Sequence, residues 1–377
     1  MRATTRLLIV SSTTITLILA GSAAAAQPAG VTVPAGGTTI DWVPCEEDPS
    51  AECGTLSVPI DWDQPDGERV ELALARRTAT DPAARIGSLL INPGGPGGSG
   101  VDFALAAADY FSEEILSRFD VVGFDPRGVA RSHPVVCSLD LLQEFPSPLL
   151  TSQAEFDALL AYNTRLGEDC RAHTGPLFDH VDTLSVVRDI DAIRAAVGDD
   201  RLSYYGVSYG TLMGQQYAEE FPHRVRALAL DSNMDHSLGT RAFIDTESAT
   251  AQDSFDEFVA WCDGDPRCAL HGEDVRALFA DLLDRAGRGE LDELTVLDLV
   301  GIAFGSFYGP NWFALAEFLL ALATGEPPPV AAPPVAAAAA GEIAQDDEVA
   351  PNPTQAVFCQ DWALPVRNYR EYRQHLR

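Results

Sequence analysis

The sequence predicts an α/β fold with a mostly parallel sheet and helices on both faces. Short apolar runs end in Gly or Pro, longer stretches carry helical periodicity, and the two alternate through residues 40–235. Residues 69–77, RVELALARR, alternate with the period of a half-buried strand. Residues 86–95 (IGSLLINPGG) and 119–128 (FDVVGFDPRG) are continuous apolar runs, the pattern of strands buried on both faces. The segments at 201–207 and 224–232 repeat that pattern. Between them, residues 183–198 set Leu184, Val187, Ile190, Ile193 and Val197 on one helical face and stop at Gly198. Residues 209–222 read as a second helix, closed by Pro222. From 236 to 324 the strand pattern is lost, which predicts a helical cap. Residues 325–353 are Pro/Ala-rich and read as a linker with extended stretches. Residues 354–377 resume ordered character as the start of a further core segment.

The chain has 377 residues and a net charge of −31, with 56 acidic residues against 25 basic ones, all of them Arg. That balance argues against a nucleic-acid partner, which would need a basic face to neutralise phosphates. The N-terminus carries Arg2 and Arg6, then a 14-residue apolar run, then GSAAAAQ. This is the three-part pattern of a secretory signal peptide over 1–26, with cleavage expected near Ala26. The apolar run is too short for a comfortable span, so the mature protein is expected to be secreted and free of the membrane.

Export favours disulfides among the seven cysteines. Neighbouring pairs suggest Cys45–Cys53, Cys137–Cys170 and Cys262–Cys268, with Cys359 left over. Closing the second loop would stabilise the fold by about 3–4 kcal/mol. No cysteine pair has the spacing of a zinc site, and neither a metal nor a cofactor is expected.

Two motifs carry chemistry. GVSYG, residues 206–210, sits between an apolar strand and a helix, the setting of a nucleophile elbow with Ser208 as the nucleophile. NPGGPGGSG, residues 92–100, follows a buried strand, and its glycines let backbone N–H groups approach an oxyanion closely. The expected oxyanion donors are the N–H groups of Gly95 and Tyr209. No Lys-Ser/Thr follows the glycines, which argues against a phosphate loop.

NPGGPGGSG, FDPRGVARS, YYGVSYGT and YAEEFPHRV together resemble the tripeptidyl and prolyl aminopeptidase branch of the α/β-hydrolases. The likeness is strong over 40–235 and looser through the cap and AVFCQDW. It implies an α/β-hydrolase fold with a helical cap, and a secreted serine exopeptidase that takes peptides with a free N-terminus. The chain departs from the family's D-x-R-G-x-G-x-S at Ala130. The resemblance also implies a triad acid and a histidine beyond the cap, after later strands. Of the histidines after Ser208, neither His223, His236, His271 nor His375 has that strand-then-loop context. Asp231 ends the sixth strand, where some hydrolases of this fold keep their acid. The expectation is a chain truncated before its last strands and catalytically crippled. An esterase or lactone hydrolase on the same fold, and a non-catalytic binding protein that keeps the elbow as scaffold, are the alternatives.

Overall fold

The computed structural model describes residues 39–291, 294–307, 311–326 and 348–376. The expected signal peptide and residues 327–347 of the expected linker lie outside the described residues. Strands β1 (Val43–Pro44), β2 (Glu52–Pro59), β3 (Arg69–Arg77), β4 (Gly87–Asn92), β5 (Phe119–Phe124), β7 (Leu202–Val207) and β8 (Val225–Asp231) form one sheet. Its order is β1-β2-β3-β5-β4-β7-β8. The first three strands and the β3–β5 pair are antiparallel, and β5-β4-β7-β8 run parallel. A second, two-stranded sheet joins β6 (Val136–Ser138) to β9 (Val349–Pro351).

The sequence patterns explain most of the burial. Along β3, Val70, Leu72 and Leu74 are buried while Arg69 and Glu71 face solvent. Leu90, Ile91, Val121, Val122 and Phe124 in the central strands are essentially inaccessible, as strands covered on both faces must be. β8 departs from its pattern. It was expected to be buried, but Ala227 and Ala229 are exposed, because no described strand pairs with its outer edge.

The helix Thr183–Ala196 also departs from a simple stripe. Leu184 is exposed, whereas Val186 is buried beside Val187, Ile190 and Ile193. The helix packs against the helix Tyr209–Glu220 as well as the sheet, so burial wraps most of its circumference from Ser185 to Arg194.

The linker expected over 325–353 ends earlier than expected. Val349–Pro351 pair antiparallel with Val136–Ser138, and a helix runs Pro353–Asp361. A three-residue strand whose partner is so far upstream leaves no local signature in the sequence. In the region expected to form a cap, the helices Thr240–Gly264, Val275–Gly287, Val296–Gly305 and Trp312–Thr324 share their own core, including Phe258, Leu282, Leu299 and Leu315. Cys45–Cys53, Cys137–Cys170 and Cys262–Cys268 are disulfide-bonded, and Cys359 is free.

The turn after β5, DPRGVARS, acts as a brace. Arg127 is fully buried and forks onto Asp189, with both Arg–carboxylate contacts at 2.7 Å. The same guanidinium donates to the carbonyls of Pro59, Ile60 and His180, and Trp62 Nε1 donates to Asp189. Ala130, the position where the sequence departs from its family pattern, has φ +42°. A left-handed alanine costs about 1–2 kcal/mol, offset by the extra unfolded-chain freedom of glycine, about 0.5–1 kcal/mol. Ala130→Gly is therefore expected to raise stability by about 0.5–1 kcal/mol. Denaturant unfolding checks this, and a loss of stability would show that the Ala130 methyl group makes a contact worth more than its strain.

Candidate active site

Ser208 stands between β7 and the helix Tyr209–Glu220 with φ +52° and ψ −119°. That backbone conformation is strained for a residue with a Cβ, and it is typical of a functional turn. The flanking glycines follow from close approach. A Cβ on Gly206 would lie 2.4 Å from the Gly210 carbonyl oxygen, and one on Gly210 would lie 2.9 Å from that of Asn92. The turn is tied on both sides. Ser208 N–H donates to the Asp231 carbonyl at 2.9 Å, and Thr211 donates to the Ser208 carbonyl through its N–H and hydroxyl.

The glycine loop rests directly on this turn. Gly94, at φ +88°, leaves no room for a side chain: a Cβ there would fall 2.4 Å from the Val207 carbonyl oxygen and 2.8 Å from Tyr209 N. Buried Asn92 accepts the Gly94 N–H at 2.8 Å through its Oδ1. At the far end of the loop, Ser99 donates to buried Asp125 at 2.5 Å. Gly95 has φ +118°. Among the described residues, neither the Gly95 N–H nor the Tyr209 N–H has an acceptor. Two unspent donors thus lie on abutting loops at the Ser208 turn.

The Tyr209 side chain points away from solvent. It is 1 % exposed, and its hydroxyl donates to the Asp361 carboxylate. Burial pushes the Tyr209 hydroxyl pKa up, and the Asp361 charge adds to that. Asp361 also receives the Thr183 N–H at 2.7 Å and the Thr183 hydroxyl at 2.6 Å. Burial raises the Asp361 pKa, against these hydrogen bonds.

The candidate acid Asp231 receives the Tyr205 hydroxyl at 3.1 Å, and among the described residues no histidine hydrogen-bonds to its carboxylate. His236 Nε2 lies 2.8 Å from the Asp361 carbonyl oxygen, with its ring edge-on to Trp362. His271 Nδ1 lies 3.1 Å from the Cys262 carbonyl oxygen in the cap. His223 lies in the turn Pro222–Arg224, and His375 in the helix Tyr369–His375. Ser208 Oγ has no hydrogen-bond partner among the described residues. Sequence reasoning singled out Ser208 and the glycine loop as candidates and gave no role to Asn92, Thr183 or Asp361, which the structure links to them. Only AVFCQDW marked the last of these, and the motif carried no role. Among the described residues no group of His, Cys, Asp and Glu side chains is placed to hold a metal ion, and no helix is long and apolar enough to cross a membrane.

A family model described as alpha/beta hydrolase fold matches residues 87–319. The chain is 38% identical over 258 residues to serine protease Hip1 of Mycobacterium tuberculosis, covering 64% of this chain and 48% of that protein. It is 38% identical over 210 residues to tripeptidyl aminopeptidase of Streptomyces lividans, covering 52% of this chain and 39% of that protein. Carboxylesterase B of Mycobacterium tuberculosis is 35% identical over 292 residues, covering 73% of this chain and 55% of that protein. The chain spans about half the length of the curated relatives it matches.

Proposed function

Because the chain belongs to the alpha/beta hydrolase fold family, we propose that it is the nucleophile-bearing part of a serine hydrolase. The reading rests on one observation: the strained Ser208 turn and the glycine loop are in backbone contact, with two unspent N–H groups at the junction. Ser208 Oγ attacks the substrate carbonyl carbon, and the N–H groups of Gly95 and Tyr209 hold the oxyanion. The C–N bond then breaks, and the proton lost by the serine goes to the leaving amine. Water releases the acyl group in a second step.

The substrate in this reading is a peptide with a free N-terminus, cut to release tripeptides. Relatives named serine protease and tripeptidyl aminopeptidase support it. Three disulfides and the Arg-flanked apolar start support a site of action outside the cytoplasm. The carboxylesterase relative, matched over more of this chain, supports an ester as the second reading. With no base hydrogen-bonded to Ser208 Oγ among the described residues, the 377-residue chain acylates slowly by itself in this reading.

The test is an acyl-enzyme measurement by intact mass after incubation with a tripeptidyl amide, its N-acetylated form and a short-chain ester. Ser208→Ala serves as the control. Accumulation at Ser208 from the free tripeptidyl amide alone supports the aminopeptidase reading. Equal accumulation from free and blocked peptides overturns it, and accumulation from the ester alone favours the second reading. An adduct that survives Ser208→Ala removes the serine from the mechanism.

A further inference from the structure

The helix Pro353–Asp361 touches both halves of the proposed oxyanion site, one at each of its ends. At its start, Thr354 Oγ donates to the Pro96 carbonyl at 2.8 Å. Gly97 lies so close that a Cβ there would fall 3.0 Å from the Pro353 ring. At its end, the Asp361 carboxylate takes the hydroxyl of Tyr209 and holds Thr183, the first residue of the helix packed against the elbow helix. Phe358 and Trp362 flank the Tyr209 ring, with centroids at 6.5 and 5.9 Å. The residue after the serine is therefore gripped by its side chain, while the loop bearing the other donor is gripped by its backbone. Both grips belong to one rigid element.

We propose that the helix Pro353–Asp361 is a clamp that sets the spacing of the Gly95 and Tyr209 N–H groups, with Asp361 a positioning residue acting through the Tyr209 hydroxyl. The inference rests on the reading of Ser208 as nucleophile. A carboxylate suits this place because it accepts three donors at once, which an amide cannot do with its single oxygen. Oxyanion donors act by being fixed before the charge develops, so a displacement of about 1 Å costs roughly 10²-fold in rate.

The experiment measures the rate constant for fluorophosphonate labelling of Ser208 in the parent chain, Asp361→Asn, Tyr209→Phe, their double variant and Thr354→Val. Thermal unfolding of each is followed in parallel. Asp361→Asn and Tyr209→Phe are each expected to slow labelling of folded protein by roughly 10- to 10²-fold. The double variant is expected to be no slower than the worse single variant, because both remove the same link. Thr354→Val is expected to slow labelling several-fold from the other end. A merely structural role would lower the melting temperature yet leave the labelling rate of folded protein at the parent value, and that result overturns the clamp. Multiplicative losses in the double variant overturn the route through Tyr209. If Asp361→Asn fails to fold, parent-like labelling in both Tyr209→Phe and Thr354→Val overturns the clamp equally. Labelling is driven by raised pH or added imidazole; a parent chain that still does not label at Ser208 under those conditions sinks the functional reading and the clamp with it, whereas labelling indifferent to these changes sinks the clamp alone.

Discussion

Fluorophosphonate labelling of Ser208 in the 377-residue chain is expected to run roughly 10⁶-fold slower than in a serine hydrolase with an assembled triad. The proposed oxyanion donors, Gly95 and Tyr209 N–H, carry no other acceptor among the described residues, but Ser208 Oγ has no base there either, so its proton stays on near neutral pH. The pH profile separates this from mere inaccessibility. With no histidine acting as base, the rate should climb steadily with pH, following the small alkoxide fraction. With a histidine acting, it should level off above a midpoint near pH 6.5. Added imidazole should accelerate labelling by serving as a diffusible base. A fast reaction with a plateau would show that a histidine does reach the serine. His236, on the loop after β8, would be the first to replace.

Arg127→Met is expected to destabilise the protein by about 3–5 kcal/mol, since it leaves the fully buried Asp189 without its cation. Burial pushes the Asp189 pKa up, and Arg127 is the largest influence opposing it. In the variant the folded-state pKa therefore lies further above the unfolded value. The charge-related penalty is absent below about pH 4, grows as pH rises through the folded pKa, and stays constant above it. Arg127→Met/Asp189→Leu should recover much of the loss. Some deficit should remain, because the Pro59 and Ile60 carbonyls and Trp62 Nε1 lose their partners. Denaturant unfolding of the two single variants and the double variant measures the coupling. Additive losses would show that the pair does not act as a unit.

What could be read from the sequence was what depends on near neighbours. At the elbow Gly206 is demanded by the nearby Gly210 carbonyl, and the glycine loop is legible as a short run of glycines, although Gly94 and Gly210 answer to contacts between the two motifs that the sequence does not display. The buried central strands declared themselves as unbroken apolar runs. The failures share a different cause. β8 carries the same apolar code as β7, but its burial depends on what lies beyond it in the sheet. Leu184 sits on the helical stripe, yet it misses the second packing surface that buries Val186. β9 exists only because β6 is there to pair with it. Asp361 looks like any acid in a helix until the fold brings it to Thr183 and Tyr209. Periodicity records which face of an element is apolar, and it carries nothing about a partner from another part of the chain.

The contacts of the helix Pro353–Asp361 also set a clock. They join it to Pro96, Thr183 and Tyr209, across separations of 258, 178 and 152 residues. Chains are made from the N-terminus onward, and contacts that close such long loops form late. Asn92, Gly94 and Ser208 can meet as soon as residue 208 has emerged. The helix that braces both loops cannot arrive until residue 361 has left the ribosome. A nascent chain therefore carries Ser208 on an unbraced turn while the 152 residues following Tyr209, through Asp361, are made, and the proposed oxyanion geometry is withheld from it until then.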